Sequence, residues 1–215
     1  MALSAKKEGV LACYVFRAMA APRKNHQGRP SVTDSAAIER AAFVLFDERG
    51  FDETTMEDIA QAVGVGRRTL FRYFPSKNDI PWGDFDESLR HFRHQLAAQP
   101  DDLTIAEAVH RCIVTFNDFD DASTPQHRVR MRLILTTPAL QAHSALRYEA
   151  WRRVIADFVA ARLDLDPDDP LPRLVGHVGL AMALTSYEEW LANPSRRLTE
   201  IIEDTLPMLR STFSD

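Results

Sequence analysis

A chain of 215 residues with 45% hydrophobic and 27% charged residues has ordinary globular composition, enough for one sizeable core or two smaller ones sharing an interface. Its two cysteines, Cys13 and Cys112, lie far apart without metal-ligand spacing and fit a reducing cytoplasm. No apolar run approaches the roughly 20 residues of a membrane-spanning helix, so no membrane partner is expected.

The net charge of −5 does not advertise a nucleic-acid binder, but the charge is unevenly spread. Arg23, Lys24, His26 and Arg29 form a basic arm, and Arg67, Arg68, Arg72 and Lys77 form a second basic group. Acidic residues gather instead at 79–87, 118–121 and 164–169. Local positive charge is what phosphate binding requires, so an acidic chain can still hold DNA. The N-terminus imitates a secretion signal, with Lys6 and Lys7 before the apolar stretch 10–16 and Ala18-Met19-Ala20 resembling a cleavage site. Arg17 interrupts that stretch, which argues against secretion. Residues 1–31 are expected to be a disordered extension ending in the basic arm, or to include an upstream start with Met19 as the true first residue.

Along the chain no segment sustains the period-two alternation of a strand. A first helix is expected at 35–49, with Ile38, Ala41, Ala42, Leu45 and Phe46 as its apolar stripe and Gly50 as its stop. A second, at 55–63, opens with a capping box formed by Thr54 with Glu57 or by Thr55 with Asp58. A third spans 67–74 and ends at Pro75. A short turn near Lys77 is followed by a restart at Pro81, where a proline in the first turn is tolerated, and that helix runs to about Ala98. Further helices are expected at 104–117, 127–136, 138–163, 171–192 and 198–213. About nine helices with short polar joints make an all-α protein. Its expected parts are a three-helix helix-turn-helix domain at 32–79 and a helical effector-binding and dimerisation domain at 80–215.

A helix-turn-helix braces one helix with another so that the second enters the major groove. Ile59, Ala60 and Val63 supply the inner face of the brace, Gly64 permits the turn, Val65 plugs the joint, and Leu70 and Phe74 anchor the reading helix. Arg67, Arg68, Thr69, Phe71 and Arg72 are left on or near the outer face. Arginine suits bidentate contact with guanine, and Thr or Phe suits a thymine methyl group. Tyr73 and Lys77 are placed for phosphate, Thr54, Thr55 and Gly66 are also expected to contact DNA, and Arg29 would reach the minor groove.

These residues carry a resemblance. Thr54-Thr55-Met56-Glu57-Asp58-Ile59-Ala60, followed by Gly64-Val65-Gly66-Arg67-Arg68-Thr69-Leu70-Phe71-Arg72-Tyr73-Phe74-Pro75-Ser76-Lys77, is similar to the DNA-binding signature of the TetR family, and Gly28-Arg29-Pro30 resembles the arm that often precedes it. Two departures stand out: Gly66 stands where a Ser or Thr cap is common, and Phe71 where Tyr is common, which removes a phosphate-binding hydroxyl. The stretches 67–86 and 130–144 resemble the mycofactocin-system regulators of that family. That narrower resemblance implies a role near redox-peptide gene clusters and long-chain acyl-CoA as effector.

Other patterns carry two readings. His91 and His94 lie three apart but have no cysteine nearby, so no metal or other cofactor is expected. His143 and Ser144 are neighbours whose side chains point apart on a helix, and no convergent polar set implies an enzyme. Phe92, Leu96, Phe116, Met131, Leu135, Tyr148 and Trp151 recur at helical spacing and are either core or the lining of an apolar pocket. Arg128, Arg132 and Arg147 are either a head-group site for coenzyme A or a solvated face paired with nearby acids. On the last two helices Val178, Met182, Tyr187, Trp190, Ile201, Leu206 and Leu209 are expected to bury a homodimer interface, packing within the protomer being the other reading. The combined expectation is a cytoplasmic homodimer that represses from a palindromic operator on double-stranded DNA until a hydrophobic effector releases it, with Pro81, Trp82 and Gly83 as the mechanical link. Activation, a different apolar effector, or an acyl-CoA-binding helical protein without DNA function are the alternatives.

Overall fold

The structure, a computed structural model, describes residues 34–213. Among the described residues there are nine α-helices and no strand: α1 (Ser35–Arg49), α2 (Met56–Val63), α3 (Arg67–Tyr73), α4 (Phe85–Ala97), α5 (Ile105–Phe116), α6 (Thr124–Thr136), α7 (Pro138–Leu163), α8 (Pro170–Ala192) and α9 (Leu198–Phe213), with a 3₁₀ turn at Lys77–Trp82. The expected disorder at 1–31 and the arm with Arg29 lie outside the described residues.

Local chemistry sets most of these boundaries. The Asp34 carboxylate accepts from the Ala37 amide at 2.7 Å and opens α1. Of the two capping boxes the sequence allows, the structure forms the one between Thr55 and Asp58. The Thr55 hydroxyl accepts from the Asp58 amide at 3.1 Å, and Asp58 accepts from the Thr55 amide at 2.8 Å. The Thr55 hydroxyl also donates to the Asp58 carboxylate at 2.5 Å, and this bond, followed by that from the Thr55 amide, holds the Asp58 carboxyl below the usual carboxylate range. At the other end of α2, Gly64 adopts φ 75°, a left-handed conformation that costs glycine nothing, and its amide bonds back to Ala60 and Gln61.

The start of α4 departs from expectation. Pro81 lies inside the 3₁₀ turn, and α4 begins only at Phe85. The reason is Gly83, which takes φ 51° and bonds its amide to the Ile80 carbonyl, closing the turn and breaking continuity with α4. Two other helices start earlier than expected, α6 at Thr124 and α8 at Pro170, with a proline in each first turn where its missing N–H has no partner to lose.

By contacts the chain forms two units, each with its own core. The first comprises the described residues up to Phe85 together with Ser123–Ser144. This grouping cuts across the chain-order division expected at residue 80. Ile38, Ala42, Leu45 and Phe46 of α1 pack with Ile59 and Ala60 of α2, Leu70 of α3, Phe74, Ile80 and Leu140, the last from α7, while Leu133 of α6 packs against this cluster. Each such large side chain taken out of water stabilises the unit by about 1.5–3 kcal/mol.

The second unit comprises Asp86–Ala122 and the described residues from Ala145 onward. At its centre Phe92 stacks on Trp151 with ring centroids 5.1 Å apart and planes 13° from parallel, and Phe116 lies 5.0 Å from Phe92. Tyr187 donates to Asn117 Oδ1 at 2.6 Å, and burial pushes its phenol pKa well up. Helices α7 and α8 cross closely because Gly176 has no side chain: a Cβ there would lie 2.8 Å from the Arg152 carbonyl oxygen. No helix among the described residues is long and apolar enough to cross a membrane. Gly176→Ala should lower stability by about 1–3 kcal/mol, since backbone must move to admit the methyl group. Urea unfolding checks this, and an unchanged midpoint would mean that the crossing is looser than described.

Candidate nucleic-acid interface and ligand region

Helix α3 is held by its inner face and free on its outer one. Leu70 is fully buried and Phe74 nearly so, while Arg67, Arg68, Phe71 and Arg72 are exposed and Thr69 and Tyr73 half-buried. The Arg67 guanidinium carbon lies 5.3 Å from the Phe71 ring centroid, one helical turn on, and that of Arg72 lies 5.3 Å from the Tyr73 ring. Ring contact through the guanidinium face leaves the in-plane donors available for oxygen acceptors. No carboxylate among the described residues pairs with Arg67, Arg68 or Arg72. The arrangement presents three cations and one apolar ring, which matches what guanine edges, phosphates and thymine methyls accept.

Three other residues read as DNA contacts are engaged within the unit. Thr54 is fully buried, and its hydroxyl donates to the carbonyls of Gly50 at 2.9 Å and Leu45 at 3.2 Å, so it ties the α1–α2 loop rather than reaching outward. The Lys77 ammonium donates to the carbonyls of Phe51 at 2.6 Å, Thr54 at 2.9 Å and Asp52 at 3.3 Å, and sits 4.4 Å from the Phe51 ring centroid. All three of its donors are thereby used inside the protein. Thr55 is exposed but spends its hydroxyl on Asp58. Gly66 caps α3 without a side chain, and open space surrounds the position a Cβ would occupy.

The residues read as ligand contacts fall in both units. In the first, α6 carries half-buried Arg128 and Leu135, buried Met131 and exposed Arg132, and burial followed by repulsion from Arg132 lowers the Arg128 pKa. In the second, Phe92, Leu96 and Trp151 are buried core, Phe116 and Tyr148 are half-buried, and Arg147 reaches Asp86 at 3.5 Å. The second unit also holds an apolar groove of about 340 Å³ that periodicity did not reveal, lined by Val109, Val159, Leu163, Leu171, Leu174 and Met182 among others.

The residues read as a dimer interface divide sharply. Tyr187, Trp190 and Ile201 are buried inside the second unit at 7, 2 and 6% exposure, so they close its own core. Met182 and Leu206 line the groove, Leu209 is half-buried, and Val178 is exposed. Leu171 and Leu174 on α8 and Met208 and Phe213 on α9 join Val178 as large exposed apolar residues. Their sequence signal was present: 171, 174 and 178 lie at i, i+3 and i+7, opposite the buried glycine face. The pair His143 and Ser144 is split as expected, Ser144 donating to the Leu140 carbonyl at 2.6 Å and His143 lying 3.1 Å from Asp79.

The two kinds of cation separate in one experiment. Lys77→Met should lower stability by about 1–3 kcal/mol through stranded carbonyls while leaving the salt dependence of DNA binding unchanged. Arg72→Ala should flatten the plot of log affinity against log salt by about 0.9 for a lost phosphate contact. A flatter slope for Lys77→Met would return that residue to the DNA surface.

Comparison with known proteins agrees with this geometry. Residues 38–80 match the family of bacterial regulatory proteins of the tetR family, and residues 103–214 match the MftR C-terminal domain. The chain is 42% identical over 181 residues to a Mycobacterium tuberculosis protein assigned as the mycofactocin biosynthesis transcriptional regulator MftR, covering 84% of this chain and 91% of that one. It is 32% identical over 187 residues to the HTH-type transcriptional regulator TcmR of Streptomyces glaucescens, covering 82% and 83%. Among solved structures, Thermus thermophilus FadR, a TetR-family transcriptional repressor in complex with lauroyl-CoA, is similar with a TM-score of 0.53 and 25% identity, over 82% of this chain and 93% of that one. The chain therefore belongs to the TetR family of transcriptional regulators, with an N-terminal helix-turn-helix and an MftR-type C-terminal domain.

Proposed function

We propose that this regulator is a cytoplasmic repressor that binds a palindromic operator as a homodimer and is released by a long-chain acyl-CoA. The observation that carries the DNA half of the proposal is the outer face of α3, where Arg67, Arg68 and Arg72 stand exposed on a helix anchored by Leu70 and Phe74. A symmetric pair of such helices requires half-sites one helical turn apart, about 34–36 Å, or a multiple of it. Replacing the three arginines with alanine is expected to abolish operator binding while the dimer persists.

Dimerisation is supported by the exposed apolar stripe Leu171, Leu174 and Val178 on α8, because an apolar face of this kind is stabilised by burial against its symmetry mate. Leu174→Glu would place a charge in that face. Sedimentation should then show monomer, and operator affinity should fall with it; a Leu174→Glu dimer of wild-type affinity would move the interface elsewhere.

The effector half is supported by the lauroyl-CoA held by the similar Thermus thermophilus FadR and by the aromatic cluster of the second unit. An acyl chain would enter among Phe92, Phe116 and Trp151 by parting their rings, and Arg147 of the same unit would receive a phosphate. A coupling of about 1–3 kcal/mol changes affinity some 5- to 150-fold, enough to switch a promoter. Anisotropy of labelled operator, titrated with protein in the presence of lauroyl-CoA or of laurate alone, tests this. Release by the CoA ester only is the expected result; tight binding unmoved by either removes acyl-CoA and leaves the DNA reading intact.

A further inference from the structure

On the reading proposed above, in which the outer face of α3 meets DNA, three internal contacts gain meaning because they converge on one nearly buried side chain. Arg130, on α6, donates through Nη2 to Glu39 Oε2 of α1 at 2.7 Å and through Nη1 to the Pro81 carbonyl of the 3₁₀ turn at 2.7 Å. Its guanidinium carbon also lies 5.0 Å from the Phe43 ring centroid. Both charges are nearly out of water, the Glu39 side chain being 8% exposed and that of Arg130 11%. A carboxylate so placed is tolerated only with a partner that satisfies its lone pairs. The surroundings reinforce the joint: Asp79, in the same turn, accepts from the Ser76 hydroxyl at 2.7 Å and faces His143 of α7 at 3.1 Å, and Leu133 and Leu140 pack into the core beneath.

The elements joined by Arg130 are those that frame α3. Leu70 and Phe74 lock the reading helix onto the same core that α1 builds with Ile38, Ala42, Leu45 and Phe46, and the turn containing Pro81 follows α3 after only Phe74, Pro75 and Ser76. We propose that Arg130 is a positioning residue for operator reading: its fork on Glu39 and the Pro81 carbonyl fixes α1 relative to the turn behind α3, and so fixes the pose of α3 in the groove. The residue type follows from the task. A guanidinium is a planar, rigid fork that serves two acceptors at once, whereas a lysine ammonium is a point charge on a flexible stem.

The test is Arg130→Lys, with Glu39→Gln beside it, on the full chain. The DNA is a duplex that the wild-type protein selects from a random-sequence pool. Circular dichroism identifies a temperature at which each variant is fully folded, and affinity is measured there, so that a loss cannot come from unfolded protein. Arg130→Lys keeps a cation beside Glu39 but cannot hold both acceptors, and it should bind the duplex at least about 10-fold more weakly than wild type while folded. Glu39→Gln, of the same shape, should weaken binding in the same direction with the salt slope unchanged, since no phosphate contact is removed. If folded Arg130→Lys matches wild-type affinity, the arginine only neutralises a buried charge and the proposal is overturned. Should Arg130→Lys fail to fold, wild-type affinity in folded Glu39→Gln overturns it equally.

Discussion

A carboxylate withdrawn from water is unstable unless another group takes over its solvation, and Glu39 is such a carboxylate. Burial raises its pKa above the ordinary glutamate value, although Arg130 pulls in the opposite direction. The protein resolves the problem with a partner that is far away in sequence, so residues 39, 81 and 130 are brought to one point. Much of the first unit depends on that meeting. Helix α6 and the first turns of α7, which by chain order belong to the C-terminal half, are part of the core from which α3 projects.

The same unit shows how one sign of charge takes opposite roles by placement. Arg67, Arg68 and Arg72 face solvent from a helix whose other side is closed by Leu70 and Phe74, so their charge is presented outward. Lys77, only five residues beyond Arg72, turns inward and replaces water at three carbonyls of the loop 51–54. The positive surface is therefore smaller than the local count of basic residues. Three exposed arginines on one short helix give a chain of net charge −5 a local positive surface.

The second unit follows a different rule. Its interior is closed by ring stacking and by the close crossing of α7 and α8 at Gly176, while its exterior leaves leucines and a valine of α8 in water. A dense interior transmits displacement because it cannot be compressed, and an uncovered apolar stripe favours association. Both properties support the ligand-responsive dimer proposed above.

Local chemistry in the sequence determined the helices, their caps and the helix-turn-helix. Apolar residues recur at helical spacing, Asp34 and Thr55 satisfy first-turn amides, and Gly64 permits the tight turn, all within a few neighbouring residues. Only the tertiary structure decided matters that depend on distant partners. It chose between Thr54 and Thr55 as cap because the Thr54 hydroxyl is drawn to the Leu45 carbonyl. It placed Tyr187, Trp190 and Ile201 inside the protomer and left Leu171 and Leu174 outside. Periodicity reports that a helix has an apolar face, and the position of Glu39 beside Ile38 and Ala42 hints that a charge will be buried. Neither reveals which element will cover that face or neutralise that charge, because packing between residues far apart in sequence is settled only when the whole chain has folded.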